Sequence, residues 1–259
     1  MDREIAAWPI AVTLLIGMLV CLEFGRYLGA RRLATDPQGA MSGLGAVEGA
    51  MFGLYGLLLA FSFSGAAGRY DARRQLIVEE ANAIGTAYLR VDLLPLETQP
   101  AVRDQFRGYV DSRLAIYRQF SDAAAVNLEL SRSEKLQKAI WAQSVAASAK
   151  PGAHTEAGKL LLPALNEMID ITATRMMGTR MHPPSIIYVL LFVLALICSV
   201  LAGHGMAASK NRSVLHTIAF AFITVISVYV VLDLEYPRSG LIRIDTFDQV
   251  LVDVRESMN

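Results

Sequence analysis

Four long apolar windows are the feature of this sequence that most constrains its fold. They cover residues 5–22, 43–67, 186–208 and 214–232, and Glu48 is the one charged residue inside them. A helix that crosses a membrane needs about 20 consecutive apolar residues, because each residue adds about 1.5 Å along the axis. The sequence therefore predicts an all-α integral membrane protein with four transmembrane helices.

The first window differs from a cleaved signal peptide in its flanking residues. The preceding segment Asp2-Arg3-Glu4 has a net negative charge where a signal peptide has a positive one, and no small-residue cleavage site follows the window. We therefore predict an uncleaved helix, with Trp8 and Pro9 in its first turn near the membrane surface.

The remaining composition excludes several classes of function. The formal net charge is zero, and no basic patch with interleaved aromatic residues points to nucleic acid. Cys21 and Cys198 both lie in apolar windows and lack the spacing of a disulfide framework or a metal site. We expect no metal, no cofactor and no nucleic-acid partner. The excess of arginine over lysine is typical of a bacterial source, which predicts the bacterial inner membrane as the location.

The order of the windows predicts the topology. Short links at about 26–42 and 209–213 join the windows into two hairpins, with a helical soluble domain inserted between the second and third spans. The predicted boundaries are 1–67 for the first hairpin, 68–182 for the soluble domain, 183–235 for the second hairpin and 236–259 for a C-terminal amphipathic segment packing on the soluble domain. More arginines flank the helix ends on the side of the insertion, which favours a cytoplasmic soluble domain and cytoplasmic termini. The short loops taken alone favour the opposite orientation.

The soluble segment has the apolar spacing of helices. No proline occurs between Pro37 and Pro95, and Ile77, Ala81, Ile84, Tyr88 and Val91 recur at helical spacing, so the second span is predicted to continue as one helix from about 43 to 94. Further helices are predicted at 99–120, at 131–149 and from 161 towards 181. The second of these is predicted to start with a Ser131–Glu134 capping box. A short strand is considered only at 241–244.

No motif of an enzyme is found. The glycines of the second window lie in a membrane helix rather than in a phosphate-binding loop, and the four histidines are scattered. Glu79 and Glu80 are adjacent carboxylates, but neighbouring helix positions point about 100° apart, so we predict a solvated helix face for both.

Two neighbouring stripes run along the second window. Small residues permit close packing of helices in lipid, and an ionisable residue inside a span usually faces protein or a water path. Two interpretations remain open. The small stripe packs within the chain's own bundle and Glu48 reaches the nearer membrane surface, or the small stripe contacts other copies and the aromatic stripe lines a pore. The small stripe is Gly45, Gly49, Gly53, Gly56 and Ala60, and the other is Glu48, Phe52, Tyr55, Leu59 and Phe63.

A second candidate site follows the fourth window. Asp233 and Glu235 stand at the predicted membrane edge, close to an arginine, and are interpreted as an interfacial ion-pair cluster rather than an ion-binding site. Its predicted members are Arg69, Arg73, Arg74, Asp233, Glu235 and Arg238.

Several segments resemble the bestrophin-like domain proteins, a family of bacterial membrane proteins. The segments are Phe61-Ser62-Phe63-Ser64-Gly65-Ala66-Ala67, Arg69-Tyr70-Asp71-Ala72-Arg73-Arg74, Val78-Glu79-Glu80-Ala81-Asn82-Ala83-Ile84-Gly85-Thr86-Ala87-Tyr88, Asp233-Leu234-Glu235-Tyr236-Pro237-Arg238, Gly240-Leu241-Ile242-Arg243 and Asp248-Gln249.

The likeness to bestrophin implies a homopentameric channel, largely selective for anions, with the second span lining the pore through a hydrophobic neck. Phe52, Tyr55, Leu59 and Phe63 are the neck candidates by position. Bestrophin's own neck motif and acidic calcium clasp do not occur in matching form. The sequence thus predicts a homo-oligomeric channel in a lipid bilayer that conducts inorganic anions. The alternative is a non-conducting membrane scaffold or stress sensor whose soluble helices bind a partner.

Overall fold

The computed structural model describes residues 7–35, 44–119, 122–209, 214–238 and 240–259. The predicted helix starts at residues 5 and 43, the helix end at Phe120 and most of the link 209–213 lie outside these ranges. Within them the chain is helical, with short 3₁₀ segments and no strand, so the all-α prediction is confirmed for this part. The helices are α1 (Ala7–Thr35), α2 (Leu44–Leu89), α3 (Gln99–Arg118), α4 (Ala123–Ser148), α5 (Ala157–Arg180), α6 (Ser185–Gly205), α7 (Val214–Glu235) and α8 (Gln249–Glu256).

Four of these helices are long and apolar enough to cross a membrane, namely α1, α2, α6 and α7. The described chain divides into two compact units. The apolar unit contains Glu4–Tyr70 together with His182–Ile242, and the polar unit contains Asp71–Met181 and Arg243–Asn259.

The apolar unit is built on a close crossing of α1 and α6. A Cβ added at Gly25 would lie 1.9 Å from the carbonyl oxygen of Val200, and one added at Gly203 would lie 2.0 Å from that of Leu22. The two backbones therefore touch where only glycine fits, as small residues permit in lipid. This crossing was not predicted from the sequence, although Gly25 and Gly29 have the small-xxx-small spacing that marks such crossings.

The core of the apolar unit lies among α1, α6 and α7. Its buried side chains are apolar groups from all three helices, and α2 adds mainly Tyr55. Only 11% of the apolar window of α2 is buried, against 22–33% for the other three helices. The second span is therefore the least covered of the four.

The polar unit has one hydrophobic core. Ile84 of α2, Phe106 of α3, Ile140 of α4 and Leu165 of α5 are each fully buried in it, and Leu251 of α8 is buried among them. Burying a side chain of this size contributes about 1.5–3 kcal/mol. The carbonyl of Met258 accepts hydrogen bonds from Tyr88 (3.0 Å) and Arg107 (2.9 Å), which ties the C-terminal segment to α2 and α3.

The predicted long helix is confirmed, with a small change at its end. Helix α2 runs from Leu44 to Leu89, and a 3₁₀ segment, Arg90–Leu93, continues it to the turn before Pro95. At about 1.5 Å per residue α2 is roughly 69 Å long, whereas the hydrocarbon core of a bilayer is about 30 Å thick. The apolar run ends near Ala67, so the residues of α2 in the polar unit lie beyond it.

The predicted start of the helix at Ser131 was wrong. Helix α4 begins after Asp122, whose carboxylate accepts from the N–H groups of Ala124 (2.9 Å) and Ala125 (3.1 Å). Ser131 is inside the helix and donates to the carbonyl of Asn127 (3.0 Å), so the Ser131–Glu134 box does not cap it. The alanine-rich segment 123–125 has high helix propensity and extends the helix past the serine.

The strand considered at 241–244 does not form. The N–H groups of Leu241 and Ile242 bind the carboxylate of Asp233 instead of a neighbouring strand.

Candidate functional site

The small stripe of α2 is uncovered in a single copy of the chain. Gly45, Gly49, Gly53, Gly56 and Ala60 are all exposed. A Cβ added at any of the four glycines would meet no described atom within 4 Å. This contrasts with Gly25 and disfavours the interpretation in which the small stripe packs within the chain's own bundle.

The second stripe faces the chain's own helices over most of its length. Tyr55 is 6% exposed, and the Phe52 ring meets Phe220 of α7 edge-on with 6.0 Å between centroids. Leu59 is half-buried, whereas Phe63 is 47% exposed. Pore lining by these residues stays a prediction, because it depends on how copies assemble.

Polar residues bound the membrane part of α2. Glu48 lies beside the end of α6, where its Oε2 atom would be 3.6 Å from a Cβ at Gly205. Arg69 lies 21 residues further along the helix, which is about 32 Å at 1.5 Å per residue. On α1, exposed Trp8 and Tyr27 are 19 residues apart, or about 29 Å. Both lengths match a hydrocarbon core of about 30 Å.

An ion pair joins α2 to α7 at one of these edges. The Arg69 guanidinium donates to the fully buried carboxylate of Glu235 through Nε (2.9 Å) and Nη2 (2.8 Å). His182 Nδ1 lies 3.0 Å from the same carboxylate, and the His182 ring stacks on Tyr236 with 4.7 Å between centroids. His182 was not predicted from the sequence as a member of this cluster, although it directly precedes the Pro183-Pro184 pair that leads into α6.

Two of the other predicted cluster residues bind elsewhere. Arg73 is buried and donates to the carbonyls of Gly178 (3.1 Å) and Met181 (3.0 Å), so it caps the C-terminal end of α5. Arg74 pairs with Asp71 (3.0 Å) and lies over the ring of Phe247 at 4.1 Å. Arg238 lies in the turn after α7. The structure thus brings Arg69 and Glu235 together and places Arg73 and Arg74 in the polar unit.

Asp233 fastens the segment that follows α7. Its Oδ2 atom accepts from the N–H of Leu241 (3.0 Å) and of Ile242 (2.8 Å). A Cβ at Gly240 would lie 1.3 Å from Asp233 Oδ1, so only glycine leaves room for this carboxylate. The role of Asp233 is therefore to hold the backbone of this turn.

A buried ion cluster centres on Glu80 in the polar unit. The Glu80 carboxylate accepts from Arg113 of α3 and Arg175 of α5, each at 2.5 Å, and Arg175 also binds Asp248 at 2.7 Å. Arg175 lies over the ring of Tyr117 at 3.6 Å. Burial by itself raises the pKa of Glu80, but the charges and hydrogen bonds of the two arginines outweigh it and hold that pKa below its usual range.

The prediction of a solvated face was wrong for Glu80. Glu79 is exposed, whereas Glu80 is 0% exposed. The signal for this difference was present, because Glu80 lies between Ile77 and Ile84 on the apolar seam of the helix. The cluster is closed to solvent, so it holds four segments together rather than presenting a reactive group. No group of three or more His, Cys, Asp or Glu side chains suited to a metal occurs in the described part of the chain.

The fold and these edges define a multi-pass, all-helical membrane protein. The family model for the bestrophin-like domain matches residues 15–247, so the chain belongs to the bestrophin-like domain family. No curated protein and no solved structure matches the chain.

Proposed function

We propose that the chain assembles with copies of itself into a membrane ion channel whose pore is lined by α2. The observation that carries this proposal is the uncovered face of α2 in the apolar unit. A span whose continuous strip of glycine meets no described atom of its own chain is suited to contact another copy, because small residues allow backbones to approach in lipid. Membership of a family known for channels supports the same function.

The proposal includes two transmembrane hairpins with the polar segment inserted between the second and third spans. Successive contacts from Gly25 to Val200 and from Gly29 to His204 advance in the same direction along α1 and α6, so these helices run parallel. Glu48 at the start of α2 lies near the end of α6, and Arg69 near the end of α2 lies against the end of α7. These contacts are expected when successive spans cross the membrane in alternating directions. Arginine near the inserted segment favours a cytoplasmic location for it in the inner membrane of a bacterium.

Two faces of α2 are candidates for the pore surface. The stripes are one residue out of step, or about 100° apart around the helix. Because Phe52 and Tyr55 contact the chain's own helices, we propose that the glycine face and Phe63 point to neighbouring copies or to the pore, and that Phe52 and Tyr55 support them from behind.

Assembly is tested by a matched pair of substitutions. Ala60→Leu fills the uncovered face of α2, and Ala30→Leu makes the same change at an exposed position of α1. We expect the first to reduce the particle mass in nanodiscs and the second to leave it unchanged. A wild-type particle with the mass of one chain would contradict the proposal and favour a scaffold with a soluble partner.

Conduction is tested in liposomes loaded with KCl, by following both ions. Phe63→Ala is expected to change the flux several-fold, whereas Phe222→Ala, an exposed phenylalanine on α7 that is 55% accessible, is the control and should leave it unchanged. Flux no greater than that of empty liposomes, across a range of voltage and pH, would overturn the channel proposal.

A further inference from the structure

The last turn of α7 binds each described segment of chain that leaves the apolar unit. In the described part, the chain passes between the two compact units three times, at 70–71, 181–182 and 242–243. Beside the first two of these points, Arg69 and His182 bind the carboxylate of Glu235. Beside the third, Ile242 donates its N–H to Asp233. The two carboxylates of this turn therefore hold all three connections on the side of the apolar unit.

Two buried carboxylates of this protein each lie between two basic side chains. Around Glu80 both partners are arginines, which do not lose their charge in proteins. Around Glu235 one partner is Arg69 and the other is His182, whose Nδ1 atom lies 3.0 Å from the carboxylate. Histidine is the side chain whose charge ordinarily changes between about pH 5 and 8. One of the two basic partners of Glu235 is therefore able to lose its charge when the pH rises.

His182 is placed to bind Glu235 more strongly when it is protonated. A hydrogen bond between two charged groups is about twice as strong as a neutral one. The ring of Tyr236 stacks on the imidazole with 4.7 Å between centroids, and the faces of aromatic rings attract cations. The side chain of His182 keeps 18% of its exposure, so protons can reach it from solvent.

The basic groups near His182 act in the opposite direction. Arg69 shares the Glu235 carboxylate, and Arg73 donates to the carbonyl of the residue that directly precedes His182. Arg238 follows in the turn after α7. These positive charges limit the gain on protonation but do not prevent it, since the carboxylate of Glu80 holds two guanidinium groups at once in a more buried place.

We propose that His182 is a pH-sensitive switch that sets how firmly the start of α6 is held to the last turn of α7. In acid the protonated ring binds Glu235 beside Arg69. As the pH rises the ring loses its charge and the contact weakens, while Arg69 stays bound. The switch acts through contacts within one chain, so it does not depend on ion conduction.

The test measures hydrogen exchange of the full chain in nanodiscs at about pH 5.5 and about pH 8, which bracket the usual titration of histidine. Labelling times are scaled to the intrinsic exchange rates at each pH. The readout is the protection of amides 187–190 in the first turns of α6, which follow His182 through the rigid pair Pro183-Pro184. We expect about fivefold greater protection in acid, which corresponds to the difference of about 1 kcal/mol between a charged and a neutral hydrogen bond.

Three variants isolate the histidine. His182→Asn keeps a neutral nitrogen donor near the place of Nδ1 and cannot be charged, so its protection at both pH values should equal that of the wild type at pH 8. His182→Arg reproduces the arrangement around Glu80 and should be protected at both pH values as the wild type is in acid. His154→Gln removes an exposed histidine of the polar unit and should retain the wild-type difference.

Each outcome decides for or against the switch. Equal protection of the wild type at both pH values would overturn it, and so would an undiminished difference in His182→Asn. If His182→Asn does not fold, a wild-type difference in His182→Arg would overturn the switch and the loss of that difference would support it. An absence of ion flux in liposomes would overturn the proposed channel and leave the exchange result unaffected.

Discussion

The buried carboxylate of Glu80 offers the sharpest test of the structure, because an exposed glutamate stands next to it. Glu80→Gln keeps the size of the side chain and removes its charge, and Glu79→Gln makes the identical change one position earlier. In the native chain the Glu80 carboxylate bridges Arg113 and Arg175, which are 0% and 3% exposed. After the change, the amide can accept from one arginine only and turns an N–H group towards the other.

The expected loss follows from this geometry. Removing one partner from a buried ion pair costs about 3–5 kcal/mol, because the remaining charge is left without compensation. For a compact unit of this size that corresponds to roughly 10–20 °C in melting temperature. An exposed substitution such as Glu79→Gln should change stability by less than about 0.5 kcal/mol.

The chain contains two tryptophans, and one of them reports on this unit. Trp141 packs against the core of the polar unit, and Trp8 lies on α1. In a Trp8→Phe background, the thermal change in fluorescence of the detergent-solubilised full chain therefore follows the polar unit alone. Equal melting temperatures for Glu79→Gln and Glu80→Gln would refute the assigned ion cluster.

Three further predictions concern other parts of the fold. Because the pKa of Glu80 is held below its usual range, its stabilisation is present at neutral pH and is lost as pH falls below about 4, so the melting-temperature gap between wild type and Glu80→Gln should narrow there. Gly25→Ala should destabilise the apolar unit by at least about 1–3 kcal/mol in an SDS unfolding titration, whereas Gly68→Ala, at an exposed position of α2 outside the small stripe, should be neutral or slightly stabilising. Gly240→Ala should displace the Asp233 carboxylate and speed hydrogen exchange at the two amides that follow. Unchanged exchange at the amides of Leu241 and Ile242 would contradict their hydrogen bonds to the Asp233 carboxylate.

The helices were predictable from the sequence where a single physical property decides them. Uncharged runs of membrane length mark α1, α6 and α7, and the absence of proline between Pro37 and Pro95 marks the continuous α2. The small stripe could be found by its spacing, because small residues that recur at helical spacing in a transmembrane helix indicate a face for close helix packing. Helix α4 ends at Ser148, close to the predicted end at 149, and Gly152 in the turn that follows has a φ of +89°.

The charged partners could not be predicted because they depend on how separate helices meet. The sequence predicts a cluster of six arginines and carboxylates near the membrane edge, but their helical directions differ, and Arg69 and Arg73 bind groups in different units. Glu80 was predicted to face solvent because only the apolar residues of the seam, such as Ile77 and Ile84, were used to predict which positions are buried. A carboxylate on such a seam is informative, since burying it requires a counter-charge from another helix. Arg113 and Arg175, far apart in the sequence, supply that charge.

The glycine crossing of α1 and α6 has a consequence for how the protein is made. Gly25 of α1 packs against α6 and Gly203 of α6 packs against α1, but the two glycines are 178 residues apart in the chain. Ribosomes add about 5–20 residues per second, so α1 waits on the order of 10–30 s in the bilayer before its partner exists. During that interval the surface of α1 at Gly25 is exposed to lipid or to other nascent transmembrane helices. Slowing translation within α3 to α5 should therefore lengthen the period in which α1 is vulnerable to membrane quality-control proteases.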